Sequence, residues 1–168
     1  MTDAPNEDTK PKYRIEDDPD EPDWSDLLSP DYGLEDVLDH TLGAGDEAED
    51  AEISLTIVLQ GVLVSGRAIT RRAWVDGMTA IGGDKEGSVA NALKKLWSSE
   101  IDAGKKMRAR REAAELPQYA RRHVYMKDTQ ILPAGGSSIV NAGFFRARIS
   151  EIGGWTLGVA APANPVDD

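Results

Sequence analysis

The chain has 168 residues, no cysteine, and 30 acidic against 19 basic side chains, for a formal charge of −11. That length holds one domain with short tails, and the lack of thiols excludes a disulfide framework or a thiolate metal site, with a reducing cytoplasm expected. No stretch approaches the ~18 uninterrupted apolar residues of a membrane span, and the opening MTDAPNEDTK has neither the basic nor the apolar region of a secretion signal, so a soluble, unsecreted protein is expected.

The charge is unevenly placed. Residues 1–52 hold 19 acids and 3 bases, a net −16, whereas residues 53–168 hold 11 acids and 16 bases, a net +5. Residues 1–51, rich in Asp, Glu and Pro, read as a disordered acidic tail, because burial there cannot offset an ordering entropy of roughly 1–2 kcal/mol per residue. Inside it, PDWSDLLSPDYGLEDVLDH spaces Trp24, Leu27 and Leu28, and then Leu34, Val37 and Leu38, at i, i+3, i+4. These are either incidental apolar residues on a solvated tail or two short amphipathic turns that form on a partner, with Trp24, Leu27 and Leu28 as the anchor.

At Ile53 the pattern changes to period two. Ile53, Leu55, Ile57 and Leu59 share one face, Gln60-Gly61 offers a turn, and Val62 and Val64 resume a second strand. Val58 and Leu63 add apolar surface to the other face, so a helix or a closed barrel is expected to cover it. Thr70 can cap a helix carrying Trp74, Val75, Met78 and Ile81 that ends at Gly82-Gly83, and Asp84 can cap the next. That second helix shows Val89, Leu93, Leu96, Trp97 and Ile101 at helical spacing and must stop near Pro117. Its stripe fades after Ile101, so 104–115, GKKMRARREAAE, reads as a solvated extension of the helix.

After Pro117, RRHVYMKDTQILPAGG reads as a strand entering a loop, and AGFFRARISEIGGWTLGVAAP as a hairpin turned at Gly153-Gly154. Phe145, Ala147 and Ile149 face one way, Phe144, Arg146 and Arg148 the other. The expected fold is α+β: a small antiparallel sheet or an SH3/Sm-like partial barrel of two strands, a helical insert at about 70–116, and three strands. The domain is expected over 52–160, with a short tail at 161–168 and a core that survives removal of the acidic segment.

Tools for catalysis are scarce. His40 and His123 lie in unrelated contexts, and GGDKEG at 82–87 lacks both the dinucleotide fingerprint and the Gly-Lys-Ser/Thr ending of a phosphate loop. No enzyme, cofactor or metal site is expected. The cations Lys105, Lys106, Arg108, Arg110 and Arg111 leave three readings open. They are a solvated helix face, or part of a nucleic-acid patch with Arg67, Arg71, Arg72, Arg121, Arg122, Arg146 and Arg148, or the partner of the acidic segment, within one molecule or between two.

Several blocks in order carry a family resemblance. ISLTIVLQGVLVSG, an insert rich in Ala, Ser and Glu, VYMKDTQI and FRARISEIGGWTLGV resemble the gas vesicle accessory protein family GvpU over about 52–160. The matching positions include Ile53, Ser54, Leu55, Gly61, Val62, Val64, Ser65, Gly66, Lys127, Asp128, Thr129 and Ile131, then Arg146, Ile149, Gly154, Trp155, Leu157 and Gly158. The resemblance implies a non-enzymatic cytoplasmic factor that associates with the gas vesicle shell or other gas vesicle proteins, self-associates, and governs vesicle clustering or assembly. An Sm-like or other nucleic-acid-binding module is the alternative from a different class.

Overall fold

The computed structural model describes residues 12–45, 48, 50–82, 88–133 and 138–160. Five antiparallel strands, β1 (Glu52–Leu59), β2 (Val62–Ile69), β3 (His123–Leu132), β4 (Val140–Arg148) and β5 (Ile152–Leu157), form one open sheet in the order β4-β3-β2-β1-β5. Helices α1 (Trp24–Leu27) and α2 (Tyr32–Leu42) precede it, and α3 (Arg71–Ile81) and α4 (Val89–Ala113) lie between β2 and β3. The α+β order of two strands, a helical insert and three strands is the one expected, and the strand ladder does not close into a barrel.

Local chemistry sets most boundaries. Gln60 and Gly61 both take positive φ, 50° and 84°, which suits the two-residue turn joining β1 to β2, where Leu59 faces Val62. Thr70 caps α3 by accepting from the Ala73 amide. Ser88 does the same for α4 through the Asn91 amide, whereas Asp84, the expected cap, lies outside the described residues. Gly66 has a packing reason: a Cβ there would lie 2.8 Å from the Lys127 carbonyl oxygen, beside the register shift in β3 where Asp128 has φ 49°.

Gly153 and Gly154 do not turn a hairpin. They lie inside β5, which pairs with β1 rather than β4 and sets Trp155 opposite Ile57. A 3-10 turn, Ile149–Glu151, joins the two edge strands. In a flat sheet those edges would stand about 19 Å apart, at ~4.8 Å per strand, further than the ~14 Å that the step from Arg148 to Ile152 can span. The sheet is therefore curled, and Gly153 and Gly154, without side chains, let β5 follow β1 around the bend.

Both faces carry apolar residues, and each has its own cover. On one, Leu55, Ile57, Val64, Val124, Met126, Ala147 and Ile149 form the larger core. Its lid is α2, whose Leu34, Leu38 and Leu42 are 0–2% exposed. On the other, Ile69 and Tyr125 meet Trp74 and Val75 of α3 and Ile101 of α4. Trp74 lies against Trp97 and Tyr125, with ring centroids 5.4 and 5.5 Å apart.

This corrects the reading of residues 1–51 as a tail outside the core. The stripe at Leu34, Leu38 and Leu42 buries about 1.5–3 kcal/mol of apolar free energy per side chain, and Asp31 both caps α2 through the Leu34 amide and accepts from Trp155 Nε1 at 2.9 Å. Residues 1–11, 46, 47 and 49 of that segment, and the tail at 161–168, lie outside the described residues. The α4 stripe also differs from expectation: Ile101 is buried, but Val89, Leu93 and Leu96 are exposed.

Leu38→Ala is expected to lower stability by about 2–5 kcal/mol, as for other fully buried leucines. A chain starting near Asp50 is expected to lose cooperative thermal unfolding, reversing the outcome the sequence suggests. Circular dichroism melts check both; an intact transition in the truncated chain would return α2 to the status of a tail.

Candidate interaction surface

The basic end of α4 is not a uniform solvated face. Arg111 is fully buried, and its guanidinium is held on several sides. One arm donates to Asp18 Oδ2 at 2.7 Å, the other to Asp18 Oδ1 at 3.1 Å and Asp20 Oδ2 at 2.7 Å, and Nε donates to the Pro117 carbonyl at 2.8 Å. The Tyr119 ring lies against it, 4.5 Å from centroid to guanidinium carbon. Asp18 accepts in addition from Tyr13 Oη and the Asp20 amide. With every group partnered, the charges tolerate burial that an isolated pair would not. The Arg111 hydrogen bonds hold the Asp18 carboxyl down to about 2, and Asp18 in turn raises Arg111.

More contacts tie the acidic segment to the chain after α4. Arg110 pairs with Asp20, Arg122 with Asp26, and Arg121 donates to Asp39 Oδ1 and the Gly43 carbonyl, each at 2.9 Å. Ala120 donates its amide to the Asp26 carbonyl. Arg67 pairs with Glu52 and Asp128, Arg71 with Glu100, and Arg72 with Asp102. The arginines that a nucleic-acid patch would use thus include many that lie against carboxylates of their own chain.

Between α4, residues 118–123 and the start of α3 lies a cleft of about 360 Å³. Among the described residues, Arg71, Arg72, Lys105, Arg108, Arg121 and Arg122 line it, with Glu100 as the acidic side chain on the same lining. His123 borders it, with Nε2 3.2 Å from an Arg146 guanidinium nitrogen, so that Nε2 accepts and the ring is neutral. Burial first, then Arg146, Arg148, Arg71 and Arg122, lowers its imidazole to about 4.

The residues expected to bind a partner separate into groups. Trp24 and Leu28 are about half exposed and Leu27 is partly buried; Asp23 caps their short helix. Lys105 and Lys106 are exposed and Arg108 half-buried, and none forms an ion pair among the described residues. Arg110 and Arg111 are engaged within the chain. Sequence reasoning missed Asp18 and Asp20 as their partners, and Asp31 as the partner of Trp155, although Ile101 and Arg111, ten residues apart and so on one side of α4, are both buried. It also missed the exposed stripe of Val89, Leu93 and Leu96.

Among the described residues no group of three or more His, Cys, Asp or Glu side chains is placed to hold a metal, and no helix is long and apolar enough to cross a membrane. The family model described as gas vesicle protein GvpU-like matches residues 36–160, from within α2 to beyond β5. No curated protein and no solved structure matches the chain.

Two acid-sensitive windows are expected. His123 titrates near 4 when folded against an ordinary 6.5, so its contribution to stability is full above pH 6.5 and is lost as the pH falls to about 4. Asp18, held near 2 against an ordinary 3.8, contributes above 3.8 and loses that contribution as the pH falls through about 2. Urea titrations from pH 7 to 2 should show the first slope vanish in His123→Gln and the second in Asp18→Asn. Identical slopes in wild type and variants would refute the assignment.

Proposed function

Because the chain belongs to the GvpU-like family of gas vesicle proteins, we propose that it is a non-enzymatic, cytoplasmic gas vesicle accessory factor. It binds the gas vesicle shell or other gas vesicle proteins and self-associates, and so influences how vesicles cluster or assemble. The observation that carries this reading is the family match over most of the chain, from within the α2 lid through every strand.

The surface offers two supports for association. Val89, Leu93 and Leu96, at i, i+4, i+7 on α4, are 36–76% exposed, and Ile81 at the end of α3 is exposed as well. Apolar residues aligned along one face of a helix suit a protein contact better than water. Trp24 and Leu28 form a second exposed apolar pair among carboxylates. Lys105, Lys106 and Arg108 remain for contacts between molecules. Exposed pairs contribute only about 0–1 kcal/mol each, so many weak contacts must add through multivalency.

The test is co-sedimentation with purified gas vesicles, with light scattering of the protein alone across a sodium chloride series. Leu93→Ser with Leu96→Ser is expected to reduce self-association at all salt concentrations. Lys105→Gln, Lys106→Gln and Arg108→Gln together are expected to remove the part that salt weakens, since the screening length is roughly 8 Å at physiological ionic strength. Trp24→Ala, Leu27→Ala and Leu28→Ala together are expected to weaken vesicle binding while leaving the circular dichroism unchanged. If the wild type does not sediment with vesicles, or all variants match it, the reading fails.

A further inference from the structure

We propose that the basic cleft between α4, residues 118–123 and the start of α3 binds a small polyphosphate anion, of the class of inorganic tripolyphosphate or a nucleoside triphosphate. Its volume of about 360 Å³ lies within the range of small-molecule sites. Arginine and lysine face into it from three separate parts of the chain, and among the described lining residues Glu100 alone is acidic. Lys105 and Arg108, at i and i+3, share one side of α4 and have no ion-pair partner among the described residues. Across from them, Arg71 and Arg72 stand in the first turn of α3, an 11-residue helix whose N-terminal end adds partial positive charge.

Two features favour a compact anion over an acidic peptide. Carboxylates of the acidic segment already hold Arg121 and Arg122, through Asp39 and Asp26, which narrows the approach for an extended chain. The cations that remain are concentrated about a small volume, as suits several phosphate groups in a row, to which guanidinium binds with two parallel hydrogen bonds. The Arg72–Asp102 pair has an exposed carboxylate and gives way easily, since such pairs contribute only about 0–1 kcal/mol. His123 on the rim is neutral, through burial first and then through the arginines around it.

Calorimetric titration of the intact chain at fixed ionic strength tests this with tripolyphosphate, ATP and a pentaglutamate peptide. Tripolyphosphate is expected to bind saturably at one site per chain. Lys105→Gln and Arg108→Gln are each expected to weaken it roughly tenfold, the loss of one charge-assisted hydrogen bond. Lys95→Gln, an exposed charge on the same helix but away from the cleft, is expected to change it by less than about twofold, as distant surface charges do. Bound tripolyphosphate should also raise the proton-NMR titration midpoint of His123. Equal affinity for ATP assigns the site to the phosphates alone, and tighter ATP binding places the nucleoside in the cleft as well; both support the proposal. Absence of saturable binding, equal weakening by Lys95→Gln, or tighter binding of pentaglutamate would overturn it.

Discussion

A sheet with apolar side chains on both faces needs cover on both, and that requirement organises this molecule. The helical insert can reach only one side, where Trp74, Val75 and Ile101 close over Ile69 and Tyr125. The other side, with Leu55, Ile57, Val64 and Met126, would stand open if the core began at residue 52. The chain resolves this with α2, drawn from its most acidic region. The leucines of that helix are four residues apart, enough to make one dry stripe while Glu35, Asp36, Asp39, His40 and Thr41 keep the rest of the helix largely polar.

That solution creates an electrostatic task. A helix carried on a segment of net charge −16 needs cations where it docks. The chain supplies them from α4 and the residues after it, with Arg111 at the centre and Arg110, Arg121 and Arg122 around it. The positive excess of the second region is therefore largely structural. What remains without an ion pair in the basic run at 105–111, among the described residues, is specific: Lys105, Lys106 and Arg108 on α4.

The legible and the illegible parts divide by the range of the forces involved. The β1–β2 hairpin, the capped α3 and the end of α4 before Pro117 follow from period two, a threonine cap and a helix stop, all local. The acidic α2 was hidden because its stabilisation lies in a sheet that its own composition does not announce, and propensity gives way to tertiary burial. Gly153-Gly154 carries a turn signal but serves a bend, because β5 has a long-range partner in β1. Which of five neighbouring cations is buried could be read only by extending the Ile101 stripe through the charged run. The family blocks were visible because residues such as Gly66 and Trp155 answer to close backbone approach and core packing, which leave little choice of residue.

The pairing of Asp31 with Trp155 joins positions 124 residues apart, and Asp18 with Arg111 joins positions 93 apart. Elements early in the sequence are thus completed by later ones. While α2 waits for β5, its leucines and the inner faces of β1 and β2 have no final partner, a period in which strand edges are open to foreign pairing. Chains closed by such distant contacts fold slowly compared with helical bundles of similar size. The net charge of −16 on residues 1–52 makes neighbouring chains repel one another, which opposes such pairing while the sheet is incomplete.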